Sequence, residues 1–203
     1  MISIKKGSVR DLFWNFARAE FEIPNHVLRH DQPAISQALK DRILRDERAT
    51  FTEEDWEALR KAVLSTRSPI VQPLIDLGTD WFLGELPSNM WGEVRVMNLL
   101  IFVNISPTRR LMELATALDK GVVPVDWNPS NYLHLRSTFD LSIMHRDPIV
   151  VAEHPTGPYI LVEGVARMCV PLSRQNHGEI EVARLPMLLG VCPRLGQWEF
   201  YGV

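Results

Sequence analysis

Apolar residues recur at helical spacing through the first part of the chain. Leu12, Phe13, Phe16 and Ala17 share one face of a helix over residues 9–21, which Pro24 stops. Ile35, Leu39, Ile43 and Leu44 predict a second helix over 34–45. A third opens at Thr52, placed to cap a first turn of Glu53, Glu54 and Asp55, with Trp56, Leu59, Ala62, Val63 and Leu64 as its buried stripe. Ser68-Pro69 then predicts a further helix over 70–80.

From about Gly84 the pattern changes. Residues 93–97 alternate as a strand, and 99–103 are a short continuous apolar run. Ser106-Pro107 reads as the N-cap and first position of a helix packed through Leu111, Met112, Leu114, Ala115 and Leu118 and ended by Gly121. Residues 122–147 carry Pro, Asn and Trp without clear periodicity and read as a long connection, a kind of segment that is often functional. Residues 148–152 and 159–162 flank Pro155-Thr-Gly-Pro158 as a hairpin. A helix follows over 164–175, kinked or shortened at Pro171, and 180–191 reads as a closing strand or strand pair. The expected class is α+β: a helical N-terminal region over 1–90, then a mixed α/β unit over 91–203, as two domains or one continuous globule.

Composition narrows the function classes. A chain of 203 residues accommodates one generous domain, and 46% hydrophobic with 23% charged residues is the balance of an ordinary soluble globule. A net charge of -3 argues against a general polyanion binder, while leaving room for a local basic patch. No apolar run reaches the roughly 18–20 residues that cross a bilayer. The basic start Met-Ile-Ser-Ile-Lys-Lys-Gly lacks a following apolar stretch, so a cytoplasmic protein without a membrane partner is expected. Cys169 and Cys192 sit in apolar runs without CxxC spacing, which predicts buried free thiols and no metal site.

The order Leu111-Met-Glu-Leu-Ala115, Pro148-Ile-Val-Val151, Tyr159-Ile-Leu-Val-Glu-Gly164, Gly164-x-x-Arg167 and Leu185-Pro-Met-Leu-Leu189 resembles the ParB/sulfiredoxin-like superfamily over residues 95–192. The resemblance implies a mixed α/β unit in which the Gly164-x-x-Arg167 turn contacts nucleotide phosphates. The physics agrees, since a glycine at a strand-to-helix junction admits close approach, and helix-start N–H groups with an arginine attract anions. Thr108, Arg109 and Arg110 form a second candidate phosphate cluster. A nucleotide, with Mg²⁺, is the cofactor implied. Catalytic members carry a polar residue, often His or Cys, just before the arginine. Ala166 stands there, beside Val165, so a sulfiredoxin-type nucleophile is missing.

Glu163, at a strand end beside the glycine turn, is the candidate general base or Mg²⁺-holding carboxylate, with helix capping as its bland alternative. For Arg167 the alternative is a salt bridge to Glu163 or Glu153. His145 and Asp147, before the strand at 148, and Glu153 and His154, after it, are further pocket candidates. The aromatic segment 197–203 is expected to dock on the domain, or else to meet a second subunit. Three functions remain open: a nucleotide-binding protein transferring phosphate to a small molecule, a non-catalytic regulatory protein with a degenerate pocket, or a DNA-associated partition-like protein. The acidic balance argues against nucleic acid.

Overall fold

Strands β4 (Ile149–Ala152) and β5 (Tyr159–Glu163) are apolar at successive positions because both faces of their sheet are covered. The computed structural model describes residues 5–22, 35–124, 129–138 and 147–202. Alternate side chains divide between two cores, as the two-residue period of a strand demands. Ile149, Val151, Ile160 and Val162 enter one core, while Val150, Ala152, Tyr159 and Leu161 enter the other. Fully burying one such aliphatic side chain contributes about 1.5–3 kcal/mol.

The first core is closed by α1 (Val9–Glu22), α2 (Gln37–Leu44) and α3 (Glu53–Asp76). The second is closed chiefly by α5 (Leu111–Asp119) and α7 (Val165–Asn176), with Tyr132 of α6 (Pro129–Thr138) and Phe102 of the short α4 (Leu100–Val103). The class is α+β, with one mixed sheet between helical layers. Its order is β1-β2-β6-β4-β5-β3, where β1 is Lys5–Lys6, β2 Asp80–Pro87, β3 Val94–Val96 and β6 Arg184–Val191. β4 runs parallel to β6 and antiparallel to β5, while β3 lies parallel to β5.

Several expected boundaries move. The first ninety residues are not all helical, because residues 80–87 pair along their length with β6 as strand β2. The expected break at Ser68-Pro69 does not occur, and α3 runs through Pro69 and Pro73 to Asp76. Leu59, Ala62 and Val63 before the prolines and Val71 and Leu74 after them are buried on one stripe, and that burial outweighs the lost backbone bonds. Ser106-Pro107 does not start a helix either. Arg109 adopts φ 59°, its carbonyl accepts from Val96 N–H, and Arg110 bridges Arg95, so the sheet edge claims this segment and α5 begins at Leu111. The long connection contains α6, and α7 continues through a buried Pro171. The closing strand starts at Arg184. The terminal aromatics dock on the chain itself: Trp198 is buried, and Phe200 and Tyr201 pack against the first core.

Gly190 faces Trp81 across the β2–β6 ladder. A Cβ there would come within 2.8 Å of both the Thr79 methyl and the buried Trp81 ring. Gly190→Ala is therefore expected to destabilise the fold by about 1–3 kcal/mol in urea denaturation. An unchanged midpoint would mean that the ladder yields locally at no cost.

Candidate functional site

β5 hands over to α7 through Gly164, whose φ is 94°. A Cβ at this position would be strained and would lie 3.3 Å from Pro148 Cα and 3.5 Å from Arg167 Nη2, so the turn requires glycine. No side chain caps the start of α7. One turn later Arg167 reaches back to Glu163, with Nη2 3.5 Å from Oε1. The Arg167 side chain is only 15% exposed. Burial pulls its pKa down, Glu163 and Asp147 oppose that, and the Arg18 guanidinium adds to the depression.

Asp147 belongs to the same corner. The register sets Ile149 opposite Glu163, and Pro148 packs on Gly164. Burial pushes the Asp147 carboxyl up to about 6, with Asp11 adding to the rise and Arg167 and Arg18 resisting it. The corner thus joins a cationic fork to a carboxyl that exchanges its proton near neutral pH. An anion receptor and a proton acceptor are the chemistry it can offer.

The N-terminal helices contribute groups that the sequence motifs did not single out. Asp11, Asn15 and Arg18 form a polar stripe on α1, yet all three are buried. Their spacing of four and three residues is helical, and that stripe was the available signal. Arg18 pairs with Asp46 at 3.0 Å, and Arg67 of α3 donates through Nε to Glu20 at 2.7 Å. Although burial opposes it, Glu163 and Glu20 together raise the pKa of Arg67, so Arg67 also faces the corner's carboxylate. Burial pushes the Asp11 carboxyl up, but hydrogen bonds from Arg48 and Ser8 bring it below its ordinary value.

The other expected residues are not gathered here. His145 lies outside the described residues. Glu153 stands at the far end of β4, about 13 Å along the strand from the Glu163 pairing. Its oxygens accept from Gly196 N–H and the Tyr201 hydroxyl, which ties down the C-terminal segment. His154 is exposed in the hairpin turn. Thr108 and Arg110 are exposed on the segment beyond β3, while Arg109 turns inward and donates to the carbonyls of Tyr201 and Gly202. Of these three, Arg109 is thus engaged by C-terminal carbonyls, and Thr108 and Arg110 stand at the surface.

A separate polar set joins α5, α6 and α7. Asp119 accepts from the Ser173 hydroxyl at 2.5 Å and lies 3.4 Å from His177 Nε2, and Arg136 of α6 donates to the same hydroxyl. The carboxylate, not the imidazole, is the middle member, and Ser173 is fully buried, so this is an anchor for α6 and no nucleophilic triad. Among the described residues no group of three His, Cys, Asp or Glu side chains is disposed to hold a metal. No helix among them is long and apolar enough to cross a membrane. Compared with known proteins, the chain matches no family model, no curated sequence and no solved structure.

The Asp147 carboxyl holds its proton more tightly in the folded chain than at the ordinary value of 3.8. Its protonated form stabilises the fold fully below that value, and the contribution is lost as pH rises through about 6. Asp147→Asn should therefore raise stability at pH 8, by on the order of 2 kcal/mol, and change it little at pH 4. Thermal melts across that range check this; equal shifts at both ends would contradict the burial of the charge.

Proposed function

We propose that the protein binds a phosphate-bearing small molecule, first among them a nucleotide, at the Gly164–Arg167 corner. The observation that carries this reading is the Arg167 guanidinium, buried beside a left-handed glycine at an uncapped helix start. Backbone N–H groups there favour an anion, and a guanidinium meets phosphate with two parallel donors. The order of elements from α5 to β6, which resembles the ParB/sulfiredoxin-like superfamily, supports the same reading. For phosphate transfer to a small acceptor, Glu163 and Asp147 are the carboxylates that would accept the hydroxyl proton or help to hold Mg²⁺.

A second reading, a regulatory protein that binds without catalysis, is favoured by two features. Ala166 offers no polar group beside Arg167, and Glu163 is engaged by Arg167 as an ion pair. Turnover of bound nucleotide separates the two readings.

Thermal melts with ATP, ADP, CTP and GTP, each with and without Mg²⁺, test binding itself. A ligand at a hundred times its Kd stabilises the native state by about 2.7 kcal/mol. Arg167→Lys, which keeps charge but loses the fork, should cut the shift strongly, whereas Lys61→Ala on the exposed face of α3 should keep it. If no nucleotide moves the melting curve, the binding reading is lost. An undiminished response in Arg167→Lys would put the pocket elsewhere.

A further inference from the structure

A groove of about 630 Å³ lies between α6 and the end of α7, a size ordinary for small-molecule sites. Leu133, His134, Arg136 and Ser137 line it from α6, and Arg174 and Glu179 from the last turn of α7 and the residues after it. Two arginines meet one carboxylate at its wall. Arg136 Nη2 lies 3.1 Å from Glu179 Oε1, and Arg174 Nε lies 3.0 Å from Oε2, so each oxygen has its own guanidinium. The backbone beneath is fixed. Gly178 adopts φ 70°, its N–H donates to the Gln175 carbonyl, and Glu179 N–H donates to the Arg174 carbonyl at 2.9 Å. The Glu179 side chain, by contrast, is 40% exposed, and ion pairs this open to water hold weakly. On the same groove Leu133 is 62% exposed, an apolar side chain left in contact with water.

We infer that this groove is a second ligand site, for a small monocarboxylic acid with a short apolar tail, and that Glu179 marks the position its carboxylate takes. The site is distinct from the Gly164–Arg167 corner, because the two stand at opposite ends of α7, about 18 Å apart along the helix. The ligand's carboxylate accepts from Arg136 and Arg174 in the same two-oxygen arrangement, while the Glu179 side chain swings out into water. Its tail lies against Leu133 and removes apolar surface from solvent. The tail decides the balance. Glu179 is tethered beside the arginines and competes at high effective concentration, so a bare carboxylate gains nothing by replacing it. Glu179 therefore acts as a built-in competitor that an acid with an apolar body displaces.

Amide shifts of the isotopically labelled full chain, followed during titration with hexanoate at constant pH and ionic strength, test this. Hexanoate should move the signals of Arg136, Arg174 and Glu179 with a Kd on the order of 1 mM, whereas hexanol and acetate should leave them nearly in place. Glu179→Gln, which removes the competitor's charge, should tighten hexanoate about two- to fivefold. Arg136 also holds α6 to Ser173, so Arg174 is the arginine to change. Arg174→Gln should weaken hexanoate about fivefold or more, and Leu133→Ser should bring it down to the level of acetate. Arg60→Gln, which breaks a two-oxygen exposed pair with Glu57 on α3, should bind as wild type does. Equal or weaker binding by Glu179→Gln overturns the role of Glu179, even if Arg174→Gln proves poorly folded. Undiminished binding by Arg174→Gln or Leu133→Ser, or equal shifts with hexanol, overturns the site. So does the absence of any response to hexanoate in wild type and Glu179→Gln alike. None of these outcomes depends on whether the corner binds a nucleotide.

Discussion

Eight residues of β2 lie antiparallel to eight of β6, from Asp80 opposite Val191 to Pro87 opposite Arg184, and the remaining elements take their positions from that ladder. Its two strands are far apart in sequence, so closing it is entropically costly and must be compensated by the two cores it brings together. α3 ends only a few residues before β2, which fixes its path over the sheet. α1 then fills the space beside α2 and α3 and is buried from Asp11 to Phe21. On the other side β6 pairs in parallel with β4, which holds Pro148 against Gly164 and Asp147 beside Arg167. The corner is thus assembled from both ends of the chain, with the ladder as the link.

Carrying so many ions inside weighs against stability unless each has opposite charge close by. The arginines of α1, α3 and α7 meet that condition through Asp46, Glu20 and Glu163. This explains how Arg167 serves two purposes. Its ion pair with Glu163 holds the first turn of α7 in place, and its guanidinium still faces Asp147. Under the binding reading proposed above, a structural and a binding role are therefore not alternatives at this residue, because the same pairing that supports the fold also orients the fork.

The local features of the corner were legible in the sequence. Tyr159-Ile-Leu-Val162 reads as a buried strand, Gly164 as its exit and Arg167 as the first-turn cation, and the fold contains all three. What was not legible depends on contacts between distant segments. Residues 80–87 become a strand because β6 pairs with them, and α3 survives two prolines because its buried stripe continues past both. Ser106-Pro107 carries a good local helix start, yet Arg109 and Arg110 are drawn to the edge of β3. Arg18 and Arg67 gave no motif at all, since an arginine on an amphipathic helix normally faces water. Only the burial of α1 from Asp11 to Phe21 on every face turns its polar stripe inward.

The two edges of the sheet are short and charged. One is β1, two exposed lysines, and the other is β3, whose free side is partly taken by the Arg95–Arg110 bridge and the bond from Val96 N–H to Arg109. An uncovered strand is a template for a strand of another molecule, and positive charge or a partial partner frustrates that pairing. The strands richest in β-branched and aromatic residues, β4 and β5, lie inside these borders. In a concentrated solution the assembled molecule therefore shields its stickiest sequences from neighbouring copies. A chain that has not yet closed the ladder lacks that shield, so the interval before β2 finds β6 is when misassembly between molecules is most to be expected.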